Sequence, residues 1–209
     1  MKITHFGHAC LLVETNGSRL LFDPGTISQG FESLTDLTAV LITHNHPDHL
    51  DLERLAPLLA ANPGAQLISD TESAEQLGEL GVKAVSAGDA LTLGTTSVRV
   101  IGGAHAFVYE QFPQCANAAY LIDDGAFLHP GDSFVEPDVE VDILALATSG
   151  PWIKVGDAIG YERRIAPRVA IAMHEGELTS TVVAFEMIAG FAPDATTFTV
   201  LEKGVATEV

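Results

Sequence analysis

Lysine and arginine are scarce in this chain: 10 of 209 residues, against 28 aspartates and glutamates, for a formal net charge of −18. That balance excludes electrostatic capture of nucleic acid or of an anionic membrane, since both require clustered cations. Cysteine is scarcer still. The two thiols, Cys10 and Cys115, allow at most one disulfide, and nothing points to an oxidising compartment. Cys10 sits in an apolar stretch and reads as a small buried hydrophobe, whereas Cys115 falls in a loop without an assignable role. Long hydrophobic runs are also missing. Cys10-Leu11-Leu12-Val13 is broken at once by Glu14 and follows no cationic start, so neither a signal peptide nor a membrane-spanning helix is expected. The cytoplasm is the default location. No Pro/Ser-rich linker, charge block or low-complexity tract divides the chain, so residues 1–209 are expected to form a single domain.

What is present is enough apolar material for a sizeable core, 47% of residues. The first 23 residues read as strands (2–6, 9–15 and 19–23), with a tight turn at Asn16-Gly17; Asn16-Gly17-Ser18 fits a hairpin better than a glycosylation site. Residues 24–37 lack periodicity and read as a loop. Helical spacing follows over 52–60, from Thr71 onward with Asp70 or a threonine as cap, over 153–165 and over 181–189. Strands are expected at 66–69, 83–86, 90–93, 96–103, 118–122, 126–129 and 197–201. The continuous apolar runs 143–147 and 169–173 suit strands covered on both faces. Strand-rich blocks alternating with solitary helices predict a layered α/β protein with two mixed sheets. Residues 16–25 and 124–131 echo one another: turn, apolar strand, then Pro-Gly beside an acidic residue. Two similar halves packed face to face would produce that pattern.

The stretch Thr43-His44-Asn45-His46-Pro47-Asp48-His49 places three histidines and an aspartate in six residues, directly after the apolar run 39–42. Imidazole and carboxylate are ligands of borderline-soft divalent metals such as zinc. Alternation sets His44 and His46 on one side of an extended segment. Pro47 then forces a turn that brings Asp48 and His49 into a second group, so one short loop offers a ligand pair to each of two adjacent ions. Further candidates lie just past strands: His105, Asp132 and His174. Irregular backbone there can aim a side chain into a shared cleft.

The His44-x-His46-x-Asp48-His49 signature resembles that of the metallo-β-lactamase superfamily. The family's later histidine, bridging aspartate and final histidine map onto His105, Asp132 in Gly131-Asp132-Ser133, and His174. Leu21-Phe22-Asp23-Pro24 is similar to its early aspartate motif. The resemblance spans essentially the whole chain in the expected order. It implies a four-layer αβ/βα sandwich with the metals at one edge. It also implies that His44, His46 and His105 hold one ion, that Asp48, His49 and His174 hold the other, and that Asp132 bridges them. Gly7-His8, Asn117-Ala118-Ala119-Tyr120-Leu121-Ile122, His129-Pro130-Gly131-Asp132-Ser133 and Ser149-Gly150-Pro151-Trp152 are most similar to compact metal-dependent hydrolases related to ascorbate-6-phosphate lactonase, without carrying over that substrate.

A hydroxide held between two such ions is the implied nucleophile. The expected activity is hydrolysis of a small ester, lactone or phosphoester, with Asp48 taking up the proton that the nucleophile releases. Zinc fits the N/O donors best, and manganese or iron are also accepted by carboxylate-containing sites. Two other readings use the same residues: an iron-dependent oxidoreductase or dioxygenase, and a non-catalytic, metal-stabilised binding module. Asp23 is expected to steady the histidine loop without touching metal. His8 is expected either to contact a ligand or the substrate or to be a hydrogen-bonded histidine in a turn, and His129 to contact either a ligand or the pocket wall. His5 is expected to be merely exposed, and Trp152 and Tyr109 are candidate pocket walls. Lys154, Arg163, Arg164 and Arg168 fall close together and read as a solvated helix face; facing the cleft, they would select an anionic substrate.

Overall fold

Alternation of side chains along the central strands decides the layers. Leu20 and Phe22 point one way and Leu21 the other; Ala39 and Leu41 point one way, Val40 and Ile42 the other. A sheet with two apolar faces must be covered on both sides. In the computed structural model, which describes residues 1–209, one face meets a second sheet and the other meets helices.

In chain order the strands begin with β1 (Lys2–His5), β2 (Leu11–Thr15), β3 (Ser18–Phe22) and β4 (Ala39–Ile42). Helix α1 (Leu52–Ala61), β5 (Gln66–Ser69), α2 (Thr71–Leu77) and β6 (Lys83–Ala84) follow. The second half comprises β7 (Ala90–Leu93), β8 (Thr96–Ala104), β9 (Ala116–Ile122), β10 (Phe127–His129) and β11 (Ile143–Ala147). It closes with α3 (Val155–Ile165), β12 (Val169–Met173), α4 (Val182–Phe191), β13 (Thr197–Thr199) and β14 (Thr207–Glu208). Two seven-stranded mixed sheets result, ordered β14-β1-β2-β3-β4-β5-β6 and β13-β12-β11-β10-β9-β8-β7. The expected four-layer αβ/βα sandwich is the observed architecture.

The echo between residues 16–25 and 124–131 is a topological one. In each sheet, three antiparallel pairings on one side give way to three parallel ones on the other, and the echoing segments build the strand at the changeover, β3 and β10. The β2–β3 hairpin turns on Asn16 and Gly17, both at positive φ (49° and 81°), as a two-residue hairpin loop requires. Two details depart from the expectations. Strand β14, paired with β1 at the far end of the chain, has no sequence signal, because two residues are too few to show a period. Residues 31–33 within the expected loop form a 3₁₀ turn that buries Phe31.

Aspartates cap the first two helices. Asp51 accepts from the main-chain N–H groups of Glu53 and Arg54, and Asp70 from those of Glu72 and Ser73. In α3, Glu162 is fully buried and neither carboxylate oxygen has a partner. Burial pushes its pKa up to about 7, against the lesser opposing effect of Arg163. The fold therefore prefers the neutral acid, and stability declines as pH rises from the ordinary carboxyl range through 7. Glu162→Gln is expected to raise Tm, with a gain that is larger at pH 8 than at pH 5. Thermal denaturation at the two pH values measures this; a gain independent of pH would contradict it.

Candidate metal centre

Strands β1, β3 and β4 run in one direction within the first sheet, as do β8, β10 and β12 within the second. Their carboxyl ends meet at one edge of the sandwich. His8 follows β1, Asp23 follows β3, the 43–49 stretch follows β4, and His105, Asp132 and His174 follow β8, β10 and β12. Main-chain bonds lock the two halves together there: Ala118 N–H to Thr43 O (2.8 Å) and His174 N–H to His8 O (2.9 Å). His8, Asp23 and His174 all have positive φ (54°, 44° and 62°), a conformation that costs non-glycine residues of order 1–3 kcal/mol each and marks functional sites.

Two four-residue groups form, His44/His46/His105/Asp132 and His8/Asp48/His49/His174, each with its ligand-type atoms within 4.8 Å of one another. Asp132 touches both. Its Oδ1 lies 3.2 Å from His49 Nε2, while its Oδ2 lies 3.1 Å from His174 Nε2, 3.3 Å from His105 Nε2 and 3.9 Å from His44 Nε2. Asp48 Oδ2 lies 3.5 Å from His174 Nε2 and 3.8 Å from His49 Nε2.

The outer nitrogens show which proton each ring carries. His49 Nδ1 donates to Asp23 Oδ2 (2.7 Å), and His105 Nδ1 donates to the Ala106 carbonyl (2.6 Å). Thr43 Oγ1 spends its own hydrogen on Asp23 Oδ2 (2.7 Å), so at 3.0 Å it accepts from His44 Nδ1. All three rings thus spend Nδ1 outward and turn Nε2 inward. His49 Nε2, His105 Nε2 and Asp132 Oδ1 are buried without a hydrogen-bond partner, an arrangement that is costly unless something fills the space between them. His46 presents Nδ1, 3.0 Å from His44 Nε2, and turns its Nε2 outward to within 3.8 Å of the Cys115 sulfur. The thiol stays protonated, because burial and neighbouring acids push its pKa to about 11.

His8 differs from the others. Its Nδ1 accepts from the Gly176 main-chain N–H (3.2 Å), so its Nε2 carries the proton and donates to Asp48 Oδ2 (2.9 Å). It belongs spatially to the second group, but it offers that group an N–H rather than a lone pair.

Burial holds the His44, His46 and His8 pKa values below the ordinary histidine value. In His49 the burial effect is outweighed by Asp132 and Asp23, which hold its pKa well above that value and favour a proton on Nε2 that a bound cation would displace. Burial works to raise both aspartates. For Asp48 the hydrogen bond from His8 and the charges of His49 and His174 win, and for Asp132 the charges of His49 and His174 win, so both carboxyls stay well below their usual range.

Supporting residues lie deeper. Asp23 Oδ1 also accepts the Thr43 main-chain N–H (2.7 Å). Asn117 clamps the turn before Asp132, with Oδ1 accepting from Asp132 N–H (3.0 Å) and Nδ2 donating to Pro130 O (2.9 Å). Thr43 and Asn117 were visible only as neighbours of motifs, since nothing in their residue type announces these partners. His129 does not reach the pocket wall. It is buried, stacked on Phe22 (5.1 Å, 6°), donates to Ala9 O (3.1 Å) and accepts from Gly131 N–H (3.3 Å). His5 is buried rather than exposed, and its Nε2 donates to His8 O (3.0 Å), holding the turn that carries His8.

A cavity of about 350 Å³ opens on the cluster, walled further by Ile27, Val108, Pro151 and Trp152, a size suited to a small molecule. Trp152 is a wall as expected, but Tyr109 is not among the lining residues. Neither is any lysine or arginine. Arg164 pairs with Glu136 (2.6 Å), Arg168 makes a two-pronged contact with Asp142 (2.8 Å each), Arg163 donates to Phe191 O (2.9 Å), and Lys154 is exposed at the start of α3. These residues form the solvated surface expected of them and do not face the cleft, so the alternative of an anion-selecting patch falls.

The sandwich and the convergent histidines define a class, and sequence comparison agrees with it. A family model described as beta-lactamase superfamily domain matches residues 2–174, and the chain belongs to the metallo-β-lactamase superfamily. Protein Rv0786c of Mycobacterium tuberculosis is 47% identical over 179 residues, covering 84% of each chain. A UPF0173 metal-dependent hydrolase of Carboxydothermus hydrogenoformans is 29% identical over 197 residues, covering 83% of this chain and 84% of its own. The solved structure of Igni18, a metallo hydrolase of Ignicoccus hospitalis, superposes with a TM-score of 0.76 at 19% identity, covering 99% of this chain and 97% of that one. Within the superfamily the chain groups with the UPF0173 proteins, such as that of Pyrococcus abyssi (31% identical over 186 residues, 84% of each chain), a family that includes proteins described as metal-dependent hydrolases. No helix is long and apolar enough to cross a membrane.

Proposed function

We propose that the cluster holds two divalent cations, zinc by preference, and that the protein hydrolyses a small ester, lactone or phosphoester. His44, His46 and His105 would hold one ion, Asp48, His49 and His174 the other, and Asp132 both. The observation that carries this reading is the inward convergence of the His44, His49 and His105 Nε2 atoms on the Asp132 carboxylate, with His49 Nε2, His105 Nε2 and Asp132 Oδ1 lacking hydrogen-bond partners. Bound there, the cations would supply Lewis acidity, bringing water toward ionisation near neutral pH and polarising the scissile group.

The chain's own residues prepare that chemistry. Asp23 and the Ala106 carbonyl fix the tautomers of His49 and His105, as outer partners of ligating histidines do. The His8 N–H occupies one oxygen of Asp48 and keeps it ionised and oriented. Asp48, which lines the cavity, is the carboxylate placed to take up the proton of the attacking water. Its acidity makes it a weak base, so holding the second cation is its larger part. The open cavity beside the cluster favours catalysis over a structural metal site, whose shell would be closed.

The test is metal quantification on protein purified without added metal. About two divalent ions per chain are expected, with ester hydrolysis lost on chelation and restored by zinc. Undiminished hydrolysis in metal-free protein would overturn the proposal. Iron content with visible absorption, and oxygen consumption in place of hydrolysis, would favour the oxygenase reading.

A further inference from the structure

We infer that the substrate is uncharged and apolar where the protein recognises it, an acyl or aryl ester or a lactone rather than a phosphorylated or carboxylated compound. The inference rests on the hydrolase reading and names its substrate class. Water would supply the oxygen of the new acyl C–O bond while the ester C–O bond breaks. The alcohol leaves with one proton and the acid product keeps the other, so no co-reactant is required.

Three observations carry it. First, no lysine or arginine lines the cavity, whereas Glu177 does. Anionic groups are ordinarily recognised by arginine, lysine or free helix N-termini. Of the helices that follow the site loops, α1 is capped by its own Asp51, and α3 carries the carboxylate of Asp157 in its first turn, where it opposes a second anion. Second, the net charge of −18 sets a long-range field against approaching anions, and apart from the cluster itself nothing in the lining reverses it. Third, the walls nearest the cluster are apolar. Trp152 stands edge-on to His105 (5.7 Å, 74°) and to His174 (6.0 Å, 84°), and Ile27, Val108, Pro47 and Pro151 supply further apolar lining, against Thr26 and Glu177 as the polar residues outside the cluster. The loop that supplies Val108 also carries Phe107 and Phe112, 65% and 66% exposed, which extend apolar surface outward from the lining.

Trp152 is the only tryptophan in the chain, so intrinsic fluorescence reports occupancy of this cavity independently of turnover. The zinc-loaded full chain would be assayed with 4-nitrophenyl butyrate and its anionic counterpart, the 4-nitrophenyl monoester of succinate, and with 4-nitrophenyl phosphate. Butyranilide and succinanilic acid serve as uncleaved probes in fluorescence titration. The neutral ester is expected to have a kcat/KM about tenfold or more above either anion, and butyranilide to perturb Trp152 at lower concentration than succinanilic acid. Val108→Arg, which installs a cation in the lining, is expected to narrow or invert both ratios. Glu177→Lys, at an exposed position, provides the same test should Val108→Arg fail to fold. A wild-type preference for either anion, in rate or in fluorescence, overturns the inference while leaving the hydrolase reading intact. If no ester is cleaved yet butyranilide still perturbs Trp152 in preference to succinanilic acid, the hydrolase reading fails and the recognition inference stands.

Discussion

Asp132→Ala protein is expected to fold, to lose at least one of two bound cations, and to hydrolyse esters about 10³-fold or more slowly than wild type. The two Asp132 oxygens lie within 3.9 Å of ring nitrogens on four histidines drawn from both groups. No other carboxylate has that reach, since Asp48 contacts only the second group. Removing it takes away the acidic centre around which the four imidazoles are assembled, and leaves their mutual repulsion unopposed once charged. The fold should survive, because the Asn117 clamp uses the main chain at 132 and the preceding turn rather than the carboxylate. Asp132→Asn, which keeps the shape and removes the charge, should resemble alanine in metal content. Atomic emission for metal, circular dichroism for fold and kcat/KM on a neutral aryl ester measure these three outcomes. Unchanged metal content and rate in both variants would sink the assignment.

Gly25→Ala is expected to be the most damaging single methyl group that the site loop can receive. A Cβ built on Gly25 would lie 1.8 Å from the Asp48 carbonyl oxygen, 2.1 Å from its carbon and 2.5 Å from the His49 nitrogen. All three are main-chain atoms, so no side chain can rotate aside; the 46–49 turn itself must move. That turn is held by Thr26 N–H on Pro47 O (2.8 Å) and Asp51 N–H on Pro24 O (3.1 Å), contacts that the displacement would break. Overpacking typically costs about 1–3 kcal/mol and more against rigid backbone. In a chain of this size that corresponds to a Tm lower by roughly 6–12 °C for a cost of about 3 kcal/mol. Because the displaced atoms belong to Asp48 and His49, metal affinity at the second group should fall with stability. Gly156→Ala on α3, where a Cβ meets nothing within 4 Å, is the control; helix propensity predicts no loss and a gain of up to about 1 kcal/mol. Equal Tm values for the two variants would contradict the close approach.

Legibility of the site followed the reach of the interactions involved. The division of the 44–49 stretch into two groups was readable because alternation and Pro47 act over two or three residues. The strands at 66–69, 90–93, 143–147 and 169–173 matched residue for residue because each buries an apolar run between clear turn signals. His8 was ambiguous in the sequence because its ring is oriented by Gly176, 168 residues away. Whether the basic cluster faced the cleft was undecided for the same reason: its arginines are claimed by Glu136, Asp142 and the Phe191 carbonyl, each at least 26 residues distant. His5 and His129 showed no sign of burial, since a histidine that satisfies a distant main-chain carbonyl reads the same as one in water. Gly25 gave no signal either, as it needs close approach rather than positive φ.

By itself, the sequence determined the fold class and, β14 apart, the order of the elements, and it supplied the candidate metal ligands. Those properties rest on short-range periodicity and on residue chemistry, which a linear chain displays directly. The tertiary structure alone decided which nitrogen of each histidine faces inward, that Asp132 lies between both groups, that His8 serves Asp48 as a donor, and that the cavity holds no cation of its own. Each of those depends on a hydrogen bond or a packing contact between strand ends that are far apart in the chain and meet only when the two sheets close face to face.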